Sequence, residues 1–398
     1  MRTAAVIGTG LIGTSVALAL TRRGVQVYLD DHDEANLKTA ASLGAGESGR
    51  PDGPVDLAIV AVPPGFVAAT LADAQRRGLA RAYTDVASVK AGPQREAEAQ
   101  GVDQTSYLGG HPLAGRERSG PLMARADLFE GRPWVLTPSP QTSRDVLNRA
   151  LELISLCGAV PVVMDAADHD RAVALISHTP HLVSALMAAR LEHASEDAAR
   201  ITGTGVRDVT RIAAGDPVLW ESILTSNAGA VADVLDEYAA DLAEVIAALR
   251  GLAKQGAGEA GADGPGAGNA LAGAASRPGE QDGAGAGAGQ GDGGDLDNGP
   301  RERLVDLLRR GNIGQARIPG KHGAPRASWG SVPVVISDAP GELARLFAAA
   351  GAAGVNIEDL LIEHSPGQQV GLVTLYVDPD AASRLAEQLA ERGWTVQN

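Results

Sequence analysis

The chain has 398 residues, enough for two or three domains that each bury a core of their own. Its formal charge of −15, from 34 basic and 49 acidic residues, argues against nucleic acid and against an anionic membrane surface as partners. The single cysteine, Cys157, excludes an intramolecular disulfide, and no Cys/His cluster suggests a metal, so a reducing cytoplasm is expected.

Residues 3–21 are uncharged and follow Arg2, which raises the possibility of a signal peptide cut near Ala17-Leu18-Ala19. Gly8, Gly10 and Gly13 would break such a segment, and they fit a different pattern better. An apolar run at 4–7 leads into Gly8-Thr9-Gly10-Leu11-Ile12-Gly13, then a helix-like stretch, then a second apolar run at 25–29 ending in Asp30 and Asp31. This order of strand, glycine turn, helix, strand and acid is the fingerprint of a dinucleotide site. The first glycine permits the turn, the second lets backbone approach the pyrophosphate, and the third lets helix pack on strand. Leu11 and Ile12 open the helix, whose N-terminus offers free N–H groups to phosphate. Asp31 lies 18 residues past Gly13, where a carboxylate can bond the ribose diol. It is preferred over Asp30 because Val27 and Leu29 alternate with it. A carboxylate there repels a 2′-phosphate, so NAD is expected over NADP; a solvated turn acid is the plain alternative.

Residues 55–62 and 82–86 read as further buried strands, the first stopped by Pro63-Pro64. Ser88 and Lys90 follow the second and are placed at the ligand edge, beyond the carboxyl ends of the strands. The stretch 109–120 reads as a glycine-rich loop with His111 at its start, and Pro112 biases His111 toward an extended conformation. Strands at 134–137 and 160–164 complete a first domain, 1–165.

From 166 to 255 the pattern is helical. Leu175, His178, His181 and Leu182 share a face, and Pro180 predicts a kink. His169, nine residues before His178, falls half a turn away, which argues against a three-histidine metal site. Val231, Val234, Leu235, Tyr238, Leu242, Val245 and Leu249 repeat at helical spacing, a stripe that packs on another helix within the subunit or across a dimer. Residues 256–300 hold 16 glycines in 45 positions and no aromatic residue; they read as a disordered linker. A short basic helix at 301–310 and a turn at 318–323 precede a last unit, 329–398, whose pattern is βαββαβ. The predicted fold class is therefore α/β: a Rossmann-type doubly wound domain, an all-helical domain and a C-terminal split-βαβ domain.

Taken together, the glycine motif at 8–13, Asp85-Val-Ala-Ser-Val-Lys90, His111-Pro-Leu-Ala-Gly115 with Ser119-Gly120, Ser177-His-Thr-Pro-His181, and Arg207-Asp-Val-Thr-Arg-Ile-Ala213 with Asp216-Pro217 and Trp220 resemble the prephenate dehydrogenase family. The resemblance covers about residues 1–250 and resumes at 301–323, and the C-terminal unit resembles an ACT domain. Ala87, Thr204 and Arg116 depart from residues common in relatives.

The resemblance implies an NAD-dependent oxidative decarboxylation of prephenate in tyrosine biosynthesis. It casts His111 as the acceptor of the C4 hydroxyl proton, with Ser88 holding His111 or that hydroxyl. Arg211 would bind a substrate carboxylate, with His178 and Trp220 lining the pocket. A neutral histidine near its ordinary pKa suits proton acceptance around neutral pH, and a guanidinium suits a carboxylate. No metal is required. Arogenate, which carries an amino group in place of the side-chain ketone, is the alternative substrate. A non-catalytic NAD or amino-acid sensor is the alternative of a different class. A hydroxyacid dehydrogenase would be expected to use a lysine on the helical domain, and none occurs between Lys90 and Lys254. In the ACT-like unit the turn from Asp338 to Gly341, with Asn356, would hold an amino-acid effector, tyrosine before phenylalanine. A homodimer is expected.

Overall fold

The computed structural model describes residues 1–114, 120–262, 299–318, 329–364 and 370–397, with the side chains of 256–262 and 364 excepted. Residues 263–298 of the predicted linker, Arg116 and most of the turn at 318–323 lie outside the described residues. The chain divides into two compact units, Met1–Asp236 and Glu237–Asn398.

In the first unit the elements run β1 (Thr3–Ile7), α1 (Leu11–Arg22), β2 (Gln26–Asp30), α2 (Glu34–Ser42), β3 (Glu47–Ser48), β4 (Leu57–Val60), α3 (Pro64–Arg76), β5 (Tyr83–Asp85), α4 (Ala91–Ala99), β6 (Tyr107–Pro112), β7 (Pro133–Thr137), α5 (Arg144–Leu156) and β8 (Val160–Val163). They form one eight-stranded sheet, ordered β3-β2-β1-β4-β5-β6-β7-β8. Its pairs are parallel except β6 with β7. Successive residues of a strand point to opposite faces, and β1 shows the result. Ala4 and Val6 pack with Leu20 of α1 and Leu153 of α5, whereas Ala5 and Ile7 pack with Val67 and Leu71 of α3. Helices thus cover both faces, which is why β1 and β4 read as unbroken apolar runs. The strand order reverses between β1 and β4, the switch point at which doubly wound sheets bind ligands beyond the carboxyl ends of their strands.

One expectation is corrected at the centre of the sheet. His111 is not in a loop: Tyr107–Pro112 is strand β6, between β5 and β7. Its two glycines mimic a loop in sequence, but neighbours crowd them. A Cβ on Gly109 would lie 2.5 Å from the Thr137 hydroxyl, and one on Gly110 would lie 2.7 Å from the Asp85 carbonyl oxygen. They are glycines because this strand runs close to filled space.

The helical part of this unit begins with α6 (Ala166–Val173), a π turn at Ala174–His178, and α7 (Thr179–Ala189), a continuous run of 24 residues. Pro180 lacks an N–H and clashes with the carbonyl four residues back. The helix answers with a wider π turn just ahead of it, the local form of the predicted kink. By length and composition this run could cross a bilayer. His169, His178 and His181 along it are buried, whereas Leu175, Ile176, Leu186 and Met187 are exposed, so one face of the run is covered within the subunit and the other is not. It continues through α8 (Glu196–Arg200), α9 (Thr204–Thr210), a 3₁₀ turn Arg211–Ala214 and α10 (Pro217–Ser226) into α11 (Ala228–Ala262). That last helix overruns the predicted start of the linker at 256. Elongation adds one hydrogen bond per residue once a long helix exists, so scattered glycines do not stop it at once.

In the second unit, α12 (Pro300–Ala316) is longer than the expected basic helix, and its Arg310 pairs with Asp241 of α11 at 2.8 Å. There follow β9 (Gly330–Ser337), α13 (Glu342–Ala352), β10 (Ile357–His364), β11 (Val370–Val377), α14 (Pro379–Glu391) and β12 (Thr395–Val396). The four strands form an antiparallel sheet ordered β10-β11-β9-β12. Val332, Val334 and Ile336 alternate inward with Val373, Leu375 and Val377, packing on Leu346 and Ala350 of α13 and Leu385 and Leu389 of α14.

Candidate active site

The glycine turn is shaped for a dinucleotide. Gly8 has φ +100°, and a Cβ there would sit 2.3 Å from the Ala61 carbonyl oxygen; a Cβ on Gly13 would sit 1.9 Å from the Gly8 carbonyl oxygen. Those two glycines satisfy the protein's own packing. Gly10 differs, because a Cβ there meets no atom within 4 Å and so faces open space. It is also the N-cap of α1 and caps no N–H by a side chain, so the amides of Leu11, Ile12 and Gly13 point out as an anion site.

Asp31 closes this cradle. Its Oδ2 accepts from the Thr9 amide at 2.5 Å and the Thr9 hydroxyl at 2.7 Å, and its Oδ1 accepts from the Asp33 amide at 2.8 Å. Burial alone would raise its pKa, but these bonds outweigh burial and hold it below the usual value, so the carboxylate stays charged. A fixed anion beside Gly10 fits the ribose diol of NAD.

On β5, β6 and the turn after β5 lies a buried polar network. The Lys90 ammonium pairs with Asp85 and donates to the Gly110 carbonyl at 2.7 Å, while Tyr107 donates to Asp85 at 2.7 Å. Lys90 therefore does not line the ligand edge as expected; it turns inward and ties β5 to the strand that carries His111. The short apolar neighbours of Lys90 give no sequence signal of this, and only the partner, Asp85, could have suggested it.

On His111, Nδ1 lies 2.8 Å from Nε2 of His169, and Nδ1 of His169 lies 2.8 Å from Oδ1 of Asp170. Asp170 also accepts from the Lys90 and Ala91 amides at 2.8 Å each, which caps α4 from a different helix. Burial first, then His169, Lys90 and His178, push the His111 pKa well below its ordinary 6.5. This corrects the expectation of an ordinary pKa. The ring is neutral at physiological pH, ready to accept a proton. Helical spacing sets His169 half a turn from His178, which speaks only to a shared metal; its partner lies on β6 instead.

His178 is buried, 3.1 Å from the Asn227 amide nitrogen, and burial lowers its pKa to about 4. Trp220 is edge-on to His178 at 6.3 Å between centroids and stacks on His181 at 3.6 Å and 8°. Gly215 permits this stack, since a Cβ there would be 2.4 Å from the indole nitrogen. Burial lowers the His181 pKa from its ordinary 6.5, and the backbone of Ile212, in the 3₁₀ turn that begins at Arg211, partly offsets this. Sequence reasoning placed His181 on the right face but gave it no part. Arg211 is exposed on that turn. Ser88 is half-buried between β5 and α4, and the bond of the His111 ring goes to His169, not to Ser88.

A doubly wound sheet with a glycine cradle, a fixed acid and a half-buried neutral histidine at the carboxyl end of another of its strands defines a nicotinamide-dependent oxidoreductase. The comparisons narrow this class. Residues 16–163 match the family model "Prephenate dehydrogenase, nucleotide-binding domain", and residues 165–259 match "Prephenate dehydrogenase, dimerization domain". The chain is 41% identical over 400 residues to the "Probable prephenate dehydrogenase NovF" of Streptomyces niveus, covering all of both. Among solved structures, prephenate dehydrogenase from A. aeolicus, in complex with hydroxyphenyl propionate and NAD+, is 26% identical with a TM-score of 0.58 over 66% of this chain and 96% of that one. Arogenate dehydrogenase from Synechocystis is 27% identical with a TM-score of 0.55 over 66% of this chain and 99% of that one. The chain belongs to the prephenate dehydrogenase family and is an NAD-dependent oxidoreductase.

Proposed function

We propose that the protein converts prephenate to 4-hydroxyphenylpyruvate with NAD, in tyrosine biosynthesis. NAD, when bound, takes the hydride from C4. His111 accepts the proton of the C4 hydroxyl as that carbon becomes carbonyl-like, and the C1 carboxyl leaves as CO2 so that the ring becomes aromatic. The observation that carries the reading is the half-buried, neutral His111 at the carboxyl end of β6, in the same sheet as the glycine cradle. Ser88 and Arg211 are assigned as positioning and carboxylate-binding groups, with His178 and Trp220 lining the pocket. Purified protein given prephenate and NAD should form equal amounts of reduced cofactor, CO2 and 4-hydroxyphenylpyruvate. No product from prephenate, with turnover of arogenate instead, would overturn the substrate assignment. That alternative is not favoured, because the relative matching the whole chain carries the prephenate name.

We also read residues 166–255 as a substrate and dimerisation domain. Leu186, Val218 and Leu219 are exposed on it, and the family model there is one for a dimerisation domain. Sedimentation at micromolar concentration should give a dimer, and a monomer would refute this. The C-terminal sheet we read as an ACT-like unit in a cytoplasmic enzyme, with tyrosine as effector. Gly341, at φ +92°, is the N-cap of α13 and turns the chain from Asp338 into a free helix N-terminus. Asn356 is exposed and donates to Glu358 at 2.6 Å.

A further inference from the structure

Resting on the assignment of His111 as proton acceptor, we infer that His169 and Asp170 are positioning residues that fix the tautomer of His111 and aim its bare nitrogen at the substrate. The argument begins at the buried end of the chain of bonds. Asp170 accepts from two backbone amides and from His169. Burial raises its pKa, but those bonds outweigh burial and bring it below the ordinary value, so it is a carboxylate and can only accept. The hydrogen between it and His169 therefore belongs to Nδ1 of His169. With His169 taken in its neutral form, its Nε2 offers a lone pair, so that the 2.8 Å contact makes Nδ1 of His111 the donor. The one remaining nitrogen of His111, Nε2, is left bare as the proton acceptor.

The chain of bonds has the logic of a catalytic triad. There a buried carboxylate holds an imidazole in the right tautomer without itself being protonated, and loss of that tautomer is costly. Here an imidazole is interposed between carboxylate and base. When the Nε2 of His111 takes the substrate proton, the Nδ1–H bond to His169 becomes charge-assisted and stronger. His169 is itself 1% exposed and edge-on to His111 at 5.0 Å between centroids, so it is held by packing as well as by its bonds. The other titratable groups that act on His111 are Lys90 and His178. Burial, Lys90, His178 and any positive charge on His169 all disfavour positive charge on His111, so the bond accommodates the transferred proton only with His169 neutral and accepting at Nε2.

His169→Leu and His169→Gln separate this role from packing. Asp170→Asn is a poorer probe, because Asp170 also caps α4. In His169→Leu, kcat with prephenate should fall about 10²-fold, the lower part of the range for a general base, with KM changed less than about threefold. In His169→Gln the amide oxygen can still accept from Nδ1 of His111, so part of that loss should be recovered. Nitrogen-15 NMR of the histidine rings, without cofactor or substrate, should show His111 protonated at Nδ1 in the unmodified and His169→Gln proteins. In His169→Leu it should shift toward the Nε2–H form. Unchanged kcat and an unchanged tautomer in His169→Leu, while His111→Asn is inactive, would overturn the inference and leave the assignment of His111 standing. An active His111→Asn would instead overturn that assignment.

Discussion

Thr9 and Asp31 are locked together: the Thr9 hydroxyl donates to the Asp31 carboxylate at 2.7 Å, beside the bond from its own amide at 2.5 Å. Thr9 is wholly buried, so the variable residue of the glycine motif commits its side chain to the acid we assign to the cofactor ribose. Asp31→Ser should weaken NAD binding and narrow the gap to NADP, because the fixed charge that repels a 2′-phosphate is gone. Thr9→Val should move the ratio in the same direction but less, since the amide bond remains. Binding titrations with both cofactors measure this, and an unmodified enzyme that takes NADP as readily as NAD would contradict it.

Lys90 and Asp85 form a buried pair, at 2% and 0% exposure. Removing one partner strands the other charge, so Lys90→Met should cost about 3–5 kcal/mol of folding stability. Replacing both with neutral residues should recover part of that. Denaturant unfolding would show it, and a Lys90→Met protein as stable as the original would refute the pair as a structural tie.

Much of this was legible in sequence, for particular reasons. The cradle was readable because its glycines, helix and acid follow one another in the chain. The buried strands announced themselves as apolar runs, and the C-terminal unit by its alternation of periods. Strand β6 was not legible, because Gly109 and Gly110 are there to make room for Thr137, Trp134 and Asp85, and room is invisible along a single chain. The link from His111 to His169 spans 58 residues and joins a strand to a helix, so helical spacing could not find it. Lys90 looked like a ligand group since nothing local marks a lysine as buried.

The depressed histidines set the acid behaviour. The folded pKa of His178 is about 4 against an ordinary 6.5, so the unfolded chain takes up its proton first as pH falls. Stability is full above about pH 6.5 and declines toward about pH 4, the sign expected when the unfolded state binds more protons. His111 adds to it in the same direction. Unfolding free energies across this range should fall with pH, and His178→Asn should flatten the slope. A slope unchanged in that variant would count against the assignment.

Regulation has its own test. Calorimetry of the full chain should detect tyrosine binding, weakened in Asn356→Ala, and tyrosine should inhibit the unmodified enzyme more than that variant. Equal inhibition of both would place the effect elsewhere, since a ligand shifts activity only by favouring one state over another.

The central claim is that His111 takes the proton as hydride leaves. Steady-state rates of His111→Asn with prephenate and NAD, measured across pH, test it most directly. The account expects kcat to drop about 10²–10⁴-fold, and an acid limb lying below pH 6.5 in the unmodified enzyme to vanish in the variant. A variant that keeps near-normal kcat and the same pH profile would contradict it.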